Sequence, residues 1–454
     1  MKTKTEINKN DYFDINITDI GINGEGIGKI NNFTIFVEGA LPNETVKIKI
    51  VKVKKNYAYG KLIEIINPSP FRKDPDCKYF NKCGGCNLLH LNYDKQLDLK
   101  ADFIQSNLKK IAKIEDVKVS KVIGMDSPFH YRNKASFPIN FTNDVNIGFY
   151  KARSHDIINI DNCIIQNPIN TVIIEKIREF IKESKISIYD ENTSKGDLRH
   201  IVTRIGNKTN ELLICIVINN TKFLYKDLLI KKLKDIPNLD SIVINFNTKN
   251  NNTILGDKIE TIYGKGYIVD YIKDLKFNIS PLSFYQVNPI QTEALYQTAL
   301  DFCNLTNNEI VFDAYCGIGT ISLFLAKNCK KVYGIEIVPD AIKNAVANAK
   351  LNNIHHVEFF TGKSEEIIPD LIFKENIYPD IVVVDPPRKG CDKILLDAIS
   401  KTSIKKLVYV SCDNATLARD IAYLSNFGFK LNKIQPVDMF CMTTHIECVA
   451  LITR

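Results

Sequence analysis

The C-terminal part of the chain alternates strand-like and helix-like segments, and this pattern restricts the possible folds most strongly. Residues 309–326, EIVFDAYCGIGTISLFLA, contain a buried strand, a glycine-rich turn and a helix, and residues 331–337 form the next strand. Such alternation is typical of a doubly wound sheet. We therefore predict a Rossmann-like α/β domain over residues 281–454, with ligands bound at the carboxyl ends of its strands.

The turn after the first of these strands predicts a cofactor site. Gly317 and Gly319 allow the backbone to approach a ligand, and Glu336 ends the next strand, where it can accept hydrogen bonds from ribose hydroxyls. The pattern Asp313-x3-Gly317-x-Gly319 lacks the third glycine that binds the pyrophosphate of a dinucleotide. The sequence therefore favours S-adenosylmethionine over a dinucleotide.

A second turn, within residues 407–420 (LVYVSCDNATLARD), carries Cys412 between a strand and a helix. A thiol in this position is predicted to be a thiolate, because the dipole of the following helix favours negative charge. A cysteine taken alone is more often a small buried hydrophobe. Its neighbours in the predicted sheet favour catalysis here.

Those neighbours are two acidic residues. Asp385 ends the strand in VVVDPPRKG, and Glu447 interrupts the apolar strand in THIECVALIT. Carboxylates at strand ends beside a thiolate can serve as hydrogen-bond acceptor and general base. Together with the cofactor loop, they predict an active site at one edge of the sheet.

The chain has 454 residues, which suggests two to four domains. A hydrophobic content of 45% and a charged content of 25% are typical of soluble globular proteins. The first ten residues lack the apolar core of a signal peptide, and no run reaches the roughly eighteen apolar residues of a membrane span. We therefore expect a cytoplasmic protein, and the net charge of +8 permits a nucleic-acid partner.

Residues 1–66 contain short strand-like runs with no helical period between them, which predicts a small, OB-like β-barrel. Tyr57 and Tyr59 lie among six lysines of the later strands: Lys47, Lys49, Lys52, Lys54, Lys55 and Lys61. Lysines alone would indicate a solvated strand face. The interleaved aromatic rings favour RNA, because cations hold phosphates while rings stack on bases.

Clustered cysteines mark the next region, residues 67–280, which we predict to be an α+β domain. Cys77, Cys83 and Cys86 lie within ten residues, and Cys163 is the candidate fourth ligand. Thiolates this close repel unless a cation neutralises them, which favours a metal centre. Zinc is the usual partner of four cysteines, but only one CxxC pair is present, and an iron–sulfur cluster tolerates irregular spacing. Its predicted role is structural or RNA-positioning.

Together, these motifs resemble the RNA uracil-C5-methyltransferase family, in particular the bacterial members that methylate 23S ribosomal RNA. The resemblance spans almost the whole chain and implies an N-terminal TRAM barrel, a central cluster-binding domain and a C-terminal methyltransferase domain. The motifs SPLSFYQVN, DAYCGIGT, YGIE and DPPRKG imply cofactor-binding residues: Gln286, Tyr315, Thr320, Glu336 and Asp385. The motifs SCDNATLARD and HIEC imply the nucleophile Cys412 and the base Glu447. The [4Fe-4S] ligands implied are Cys77, Cys83, Cys86 and Cys163.

The implied reaction needs covalent catalysis, because uracil C5 is a weak nucleophile. Attack of Cys412 on C6 gives an enolate whose C5 displaces the sulfonium methyl, and Glu447 then removes the C5 proton so that the thiol can leave. Asp385 would orient the uracil through its edge. The target uridine must be unpaired or flipped out of its stack. We expect RNA as the partner of a monomer, with no protein partner.

Three alternatives come from other classes or substrates. An amino-group methyltransferase would follow Asp-Pro-Pro with an aromatic residue, whereas this chain has Arg388. An RNA-binding protein without activity would not need Cys412 and Glu447 together with a cofactor loop. The tRNA uridine-54 enzyme of the same family is the nearest alternative, although it typically lacks both barrel and cluster.

One position departs from the family motif. The family has Asn-Pro after the nucleophile, and this chain has Asp413 and Asn414. Aspartate caps a helix as well as asparagine does. Its negative charge beside Cys412 is expected to oppose thiolate formation.

Overall fold

A computed structural model describes residues 7–454, and residues 1–6, the start of the predicted barrel domain, lie outside that part. The chain divides into two compact units. The first holds the described chain up to Lys100 with Tyr150–Asp156 and Met442–Thr444, and the second holds the other residues. None of the described helices combines the length and the apolar character needed to cross a membrane.

A closed five-stranded barrel begins the first unit, as predicted, with the strand order β1-β2-β3-β5-β4. Its strands are β1 (Tyr12–Ile20), β2 (Gly26–Ile30), β3 (Phe33–Glu38), β4 (Thr45–Val53) and β5 (Tyr57–Asn67). Alternate apolar residues such as Ile35, Ile48 and Ala58 fill the interior. The intervening residues face outward, as the period of two in a strand requires.

The segment after the barrel packs back onto it. The Arg72 guanidinium donates to the buried Glu44 carboxylate at 2.5 and 2.9 Å, and the Leu41 and Ser69 amides donate to the same group. A buried carboxylate needs such partners, because an unpaired charge away from water is costly. The compact units therefore divide near residue 100, and the boundary predicted after residue 66 lies inside the first unit.

The second unit contains two large sheets. Helix α1 (Tyr93–Asn107) enters it and ends in a π-helical turn, Leu108–Ala112. The first sheet has the order β12-β11-β10-β9-β6-β7-β8. Its elements, in chain order, are β6 (Lys134–Phe141), β7 (Val145–Tyr150), β8 (Ile157–Asn159), α2 (Ile169–Ser184), β9 (Leu198–Ile205), β10 (Leu212–Ile218), α3 (Lys226–Leu233), β11 (Leu239–Phe246) and β12 (Lys258–Tyr263).

A hairpin of β13 (Ile268–Ile272) and β14 (Leu275–Ile279) leads to the second sheet, whose order is β17-β16-β15-β18-β19-β21-β20. Its elements are α4 (Pro289–Cys303), β15 (Ile310–Ala314), α5 (Thr320–Ala326), β16 (Lys331–Glu336), α6 (Pro339–Leu351), β17 (Val357–Thr361), α7 (Ser364–Phe373), β18 (Ile381–Val384), α8 (Lys393–Lys401), β19 (Lys406–Ser411), α9 (Asn414–Ser425), β20 (Lys430–Val437) and β21 (Glu447–Thr453). Strands β15 to β19 are parallel, which confirms the predicted doubly wound fold, and β21 runs antiparallel to β19.

Candidate active site

One cavity of about 630 Å³ lies in the second unit, where the parallel strands of the second sheet end. All seven side chains predicted to act in catalysis or cofactor binding line it: Gln286, Tyr315, Thr320, Glu336, Asp385, Cys412 and Glu447. Its volume is in the range of small-molecule sites, roughly 300–1,000 Å³. The structure therefore brings the predicted residues to one place.

The loop between β15 and α5 has an unusual backbone. Tyr315, Gly317 and Gly319 have φ angles of 68°, 56° and 81°, in the left-handed region. A Cβ atom on Gly319 would meet Phe359 at 3.0 Å, whereas one on Gly317 would meet nothing within 4 Å. Gly319 is therefore needed for packing, and Gly317 leaves open space for a ligand. Strain at a non-glycine residue such as Tyr315 is typical of functional sites.

Two carboxylates hold this loop. Glu336 accepts hydrogen bonds from the backbone amides of Gly317 at 3.2 Å and Val338 at 2.9 Å. Asp313 is fully buried, and the Ser322 hydroxyl donates to its Oδ2 at 2.5 Å. Burial raises the pKa of Asp313 to about 7. These bonds fix the loop and leave lone pairs on Glu336 for a ligand.

The segment with Gln286 is anchored from the first sheet of the same unit. Asn133 donates its side-chain amide to the Gln286 carbonyl at 2.9 Å and its backbone amide to the Val287 carbonyl at 3.0 Å. The buried Arg204 guanidinium donates to the carbonyls of Pro281 and Ser283. These bonds fix the backbone that presents the Gln286 side chain to the cavity.

Cys412 lies on the turn between β19 and α9, as predicted. The Asp413 carboxylate caps the helix by accepting from the amides of Ala415 and Thr416, both at 3.0 Å. Ser411 and Asp413 bond each other through the serine hydroxyl, at 2.9 and 3.1 Å. Asp413 thus caps as an asparagine would, and the turn is held without the proline of the family motif.

The same helix supports the loop that follows Asp385. The buried Asp420 carboxylate accepts from the Cys391 amide at 2.9 Å and from the Tyr409 hydroxyl at 2.8 Å. Arg419 donates to the Lys389 carbonyl at 2.9 Å, and the Thr416 hydroxyl donates to the Arg388 carbonyl at 3.2 Å. Helix α9 therefore positions both the thiol and the loop that carries Arg388 into the cavity.

The prediction that Cys412 is a thiolate is wrong. Burial, with smaller contributions from Glu447 and Asp385, raises the pKa of Cys412 from 9.0 to about 11, although Arg388 acts to lower it. Desolvation is the largest effect on this thiol, whereas a helix N-terminus contributes only roughly 0.3–1 kcal/mol. Desolvation and the two facing carboxylates therefore outweigh the dipole, and the thiol is protonated at neutral pH.

Asp385 and Glu447 form a coupled pair. Removal from water raises the pKa of both carboxyl groups, and the charge of Asp385 raises that of Glu447 further. Glu447 Oε2 is buried without a hydrogen-bond partner among the described residues. Because two carboxylates repel each other in a site removed from water, the pair favours the state in which one of the two carboxyl groups keeps its proton.

Several lining side chains were missed by sequence reasoning: Phe284, Tyr285, Tyr296, Ile337 and Phe440. The Tyr296 hydroxyl bonds the Thr320 hydroxyl at 2.9 Å, so it orients a predicted residue. Phe284 and Tyr285 lie within the SPLSFYQVN motif, which could have identified them. Two others carried no signal in the sequence: Tyr296 has the spacing of an ordinary core residue on α4, and Phe440 lies in a connecting segment that has no periodic pattern.

The side chains of the four predicted metal ligands are half-buried. Cys77, Cys83 and Cys86 belong to the first unit and Cys163 to the second. The Gly85 amide donates to Cys83 Sγ at 3.4 Å, and burial raises the pKa of Cys83, with the Cys77 thiol adding to the rise. Across residues 7–454, no three His, Cys, Asp or Glu side chains come together as a metal site. As placed, the cysteines do not form a ligand set.

The electrostatics of Cys412 predict how its reactivity responds to mutation. Glu447→Gln should speed alkylation of Cys412 by iodoacetamide severalfold near pH 9, because removal of a like charge lowers the thiol pKa. The gain should grow with pH, since the raised pKa of Glu447 leaves it uncharged in acid. Arg388→Gln should slow the reaction. The rates are read from the Cys412 peptide by mass spectrometry.

Glu365→Gln is the matched control, because Glu365 lines the cavity but is not among the groups that act on Cys412. Its alkylation rate should equal that of the wild type. Slower alkylation in Glu447→Gln would contradict this electrostatic account.

Comparison with known proteins identifies the family. The model described as tRNA (Uracil-5-)-methyltransferase matches residues 92–454, and the TRAM domain model matches residues 8–63. An uncharacterized RNA methyltransferase of Clostridium tetani is 50% identical over 100% of this chain and 98% of its own length. A relative of the same description from Clostridium acetobutylicum is 50% identical over 100% of this chain and 99% of its own length.

A solved structure matches over nearly the same extent. The Pyrococcus abyssi tRNA (uracil-54, C5)-methyltransferase, in complex with S-adenosyl-L-homocysteine, is 28% identical with a TM-score of 0.78, covering 97% of this chain and 100% of that chain. Because the match extends over the barrel, the Pyrococcus abyssi enzyme departs from the expectation that tRNA uridine-54 enzymes typically lack a barrel. The chain belongs to the RNA (uracil-5-)-methyltransferase family, and it is an S-adenosylmethionine-dependent RNA methyltransferase with an N-terminal TRAM barrel.

Proposed function

We propose that the enzyme methylates C5 of a uridine in 23S ribosomal RNA through a covalent adduct between Cys412 and C6. The observation that supports this mechanism is the common cavity, which Cys412, Asp385 and Glu447 share with the cofactor loop. A methyl transfer to an already nucleophilic nitrogen would not need a thiol and two buried carboxyl groups there. We place this activity in the cytoplasm, in a monomer without a protein partner.

The cavity residues fit S-adenosylmethionine. Gly317 has open space where a Cβ atom would project, and Glu336 keeps lone pairs for ribose hydroxyls beside its two amide bonds. When bound, the cofactor supplies an electrophilic methyl group. We assign Tyr315, Thr320, Glu336 and Gln286 to holding it, with Gln286 also facing the target base.

The chain's own groups then move the protons. The raised pKa of Cys412 means that the thiol must lose its proton as the uracil binds, and Arg388 is the cation that stabilises the resulting charge. The Sγ–C6 bond would form, and the electron pair displaced to C5 would make the new bond to the methyl group, whose bond to the sulfonium sulfur of the cofactor would break and leave its electron pair on that sulfur. Glu447 accepts the C5 proton, the Sγ–C6 bond breaks, and the aromatic ring is restored. Asp385 orients the uracil.

A base with a raised pKa suits this last step. A carboxylate is a better proton acceptor when burial raises its pKa, and Glu447 is buried with an unpartnered oxygen. The aromatic ring of Phe440 in the cavity lining would stack on a uridine that has left its helix.

We assign 23S ribosomal RNA as the substrate because the sequence resembles the bacterial 23S enzymes. The tRNA T-loop uridine is the second candidate, favoured by the likeness to the Pyrococcus abyssi enzyme over 97% of the chain. Both substrates present an unpaired uridine held by surrounding RNA, so the catalytic cavity alone suits either.

We also propose that Cys77, Cys83, Cys86 and Cys163 ligate a [4Fe-4S] cluster. The support is the spacing in the sequence, which places three thiols within ten residues, and the proximity of the Cys77 thiol, which raises the pKa of Cys83. No catalytic step depends on this group.

Glu447→Gln should stop the reaction after methyl transfer. The amide cannot accept the C5 proton, so a covalent protein–RNA complex should accumulate on ordinary uridine RNA, visible as a shifted band in denaturing gels. Glu358→Gln, which removes a surface carboxylate paired with Lys331, should turn over normally. Ordinary turnover by Glu447→Gln would remove Glu447 from the mechanism.

Competition between 23S fragments and tRNA transcripts tests the substrate. Label from the methyl donor should appear as 5-methyluridine in the ribosomal RNA, identified by nuclease digestion and mass spectrometry. Cys412→Ala should label neither RNA. Label found chiefly in the T-loop would establish the tRNA alternative.

Metal analysis tests the cluster. Protein purified without oxygen should be brown and contain iron and acid-labile sulfide, and Cys86→Ser should lose both because one ligand is gone. Cys329→Ser, a buried cysteine of the second unit, should keep them. Stoichiometric zinc without sulfide would overturn the proposal.

A further inference from the structure

Phe440, which lines the cavity, follows β20 in a stretch that has no helix or strand of its own. The Met439 carbonyl, just before the ring, accepts a hydrogen bond from the side-chain amide of the buried Asn288 at 3.3 Å. The Cys441 carbonyl, just after it, accepts one from the hydroxyl of the buried Tyr131 at 3.1 Å. Connecting segments usually lie at the surface, where water satisfies their backbone groups. Here buried side chains replace the water, so the backbone is held on both sides of Phe440.

Two neighbouring side chains restrict the Phe440 ring itself. The Arg132 guanidinium carbon lies 5.9 Å from the ring centroid. The His445 ring packs against it edge-on, with the centroids 6.1 Å apart and the planes at 77°. Both contacts favour a single orientation of the ring. Phe440 is therefore presented to the cavity as an oriented flat surface before any ligand binds.

Asn288 holds two walls of the cavity at once. It is fully buried and lies two residues after Gln286. Its side-chain oxygen accepts a hydrogen bond from the Gln291 amide at 3.2 Å, which caps α4, while its side-chain nitrogen donates to the Met439 carbonyl. The cap fixes the start of α4, and the second bond ties this point to the segment that carries Phe440. Because the two bonds use different atoms of one side chain, a substitution can separate them.

Tyr131 and Asn133 connect the same two walls from the first sheet. Tyr131 bonds the segment that carries Phe440, whereas Asn133 donates its side-chain amide to the Gln286 carbonyl at 2.9 Å. The Ile205 amide, at the end of β9, donates to the Asn133 carbonyl at 2.9 Å and anchors this short stretch to the sheet. The spacing between the Phe440 wall and the Gln286 wall is thus set by bonds among groups that belong to the second unit.

We propose that Asn288 and Tyr131 are positioning residues for the target base. By holding the backbone before and after Phe440, they set the plane in which the uracil ring stacks, and with it the approach of C6 to Cys412. The proposal rests on the proposed function, because it needs a base that stacks beside the thiol. Asp385 orients the base at one edge only, which would leave the ring free to tilt. A misplacement of about 1 Å can cost about a hundredfold in rate.

Single-turnover trapping with the full chain tests this role. The RNA is a 23S fragment transcribed with 5-fluorouridine, and the adduct that forms with S-adenosylmethionine is followed on denaturing gels. Asn288→Asp keeps an oxygen for the cap but loses the donor to Met439, so it should slow adduct formation at least about tenfold. Tyr131→Phe loses one hydrogen bond and should slow it about threefold. The final amplitude should stay unchanged, because misplacement lowers the rate constant whereas misfolding lowers the fraction of active enzyme.

Asn245→Asp is the matched control. Asn245 is fully buried on β11, does not line the cavity, and donates its side-chain amide to the Gly256 carbonyl at 2.8 Å. The exchange removes the same kind of buried donor, so any lost stability should appear in the amplitude, and the rate constant should stay within about twofold of the wild type. Equal slowing in Asn245→Asp and Asn288→Asp, or no slowing in Asn288→Asp and Tyr131→Phe, would overturn the proposal.

A double-mutant cycle tests whether Asn288 acts through Phe440. Asn288→Asp combined with Phe440→Ala should be no slower than Phe440→Ala alone, because the ring that Asn288 positions is already absent. Effects that multiply would show that Asn288 acts by another route and would contradict the proposal.

Cofactor binding separates the two walls. The affinity of Asn288→Asp for S-adenosylmethionine should stay within about twofold of the wild type, because Asn133 still holds the Gln286 backbone. A loss of cofactor affinity as large as the loss of rate would assign the effect to the Gln286 wall and contradict a role in placing the base.

The two proposals fail in different ways. If the wild type is trapped and Asn288→Asp is trapped equally fast, the positioning role alone is wrong. If the methyl label reaches another atom of the RNA without an adduct, and Asn288→Asp and Tyr131→Phe slow that transfer, the positioning role stands and the proposed function is wrong.

Discussion

The antiparallel placement of β21 beside β19 is the constraint on which the catalytic site depends. Ser411 pairs with Cys448 in this ladder, so Glu447 lies next to the turn that carries Cys412. A parallel strand in the same place would put its amino end at the opposite edge of the sheet. The reversal therefore brings a base from the C-terminus to the edge where the cofactor loop and Asp385 already meet.

The buried carboxylate of Asp420 supports this edge of the sheet. Asp420 is almost fully buried, yet its oxygens accept hydrogen bonds from Tyr409, Cys391 and Arg419. Such complete pairing offsets the cost of burying the charge, which would otherwise amount to several kcal/mol. Among residues 7–454, no comparable set of hydrogen-bond donors reaches Asp385 or Glu447, and burial raises their pKa values instead. The fold thus separates a carboxylate that holds structure from carboxyl groups that can exchange protons.

The sequence allowed the main parts of the site to be predicted. Cys412 lies on the expected turn, Asp413 caps the expected helix, and Gly317 and Glu336 occupy the expected loop and strand end. The protonation state of Cys412 could not be predicted in the same way, because it depends on burial depth and on two carboxylates far away in the sequence. The local sequence pattern indicates the helix dipole, but it does not show how far the thiol is removed from water, and this desolvation has the larger effect on the thiol pKa.

Prediction from local sequence patterns has the same limit in the first unit. The proline-rich stretch after residue 66 indicated a linker, but Arg72 returns to the buried Glu44 and joins the following segment to the barrel. Arg153 reaches Tyr59 from a loop in another part of the chain, and the local sequence around these two residues does not predict this contact. Tertiary pairing between distant segments is the information that a single sequence does not display.

The central claim, that Cys412 attacks the uracil, is tested most directly by trapping. RNA with 5-fluorouridine at the target lacks the C5 proton that the base removes, so the methylated adduct cannot break down. After protease and nuclease digestion, mass spectrometry should find a methylated fluorouridine nucleotide on the peptide that contains Cys412. An adduct on any of the other cysteines, or methylated product released without an adduct, would contradict the account.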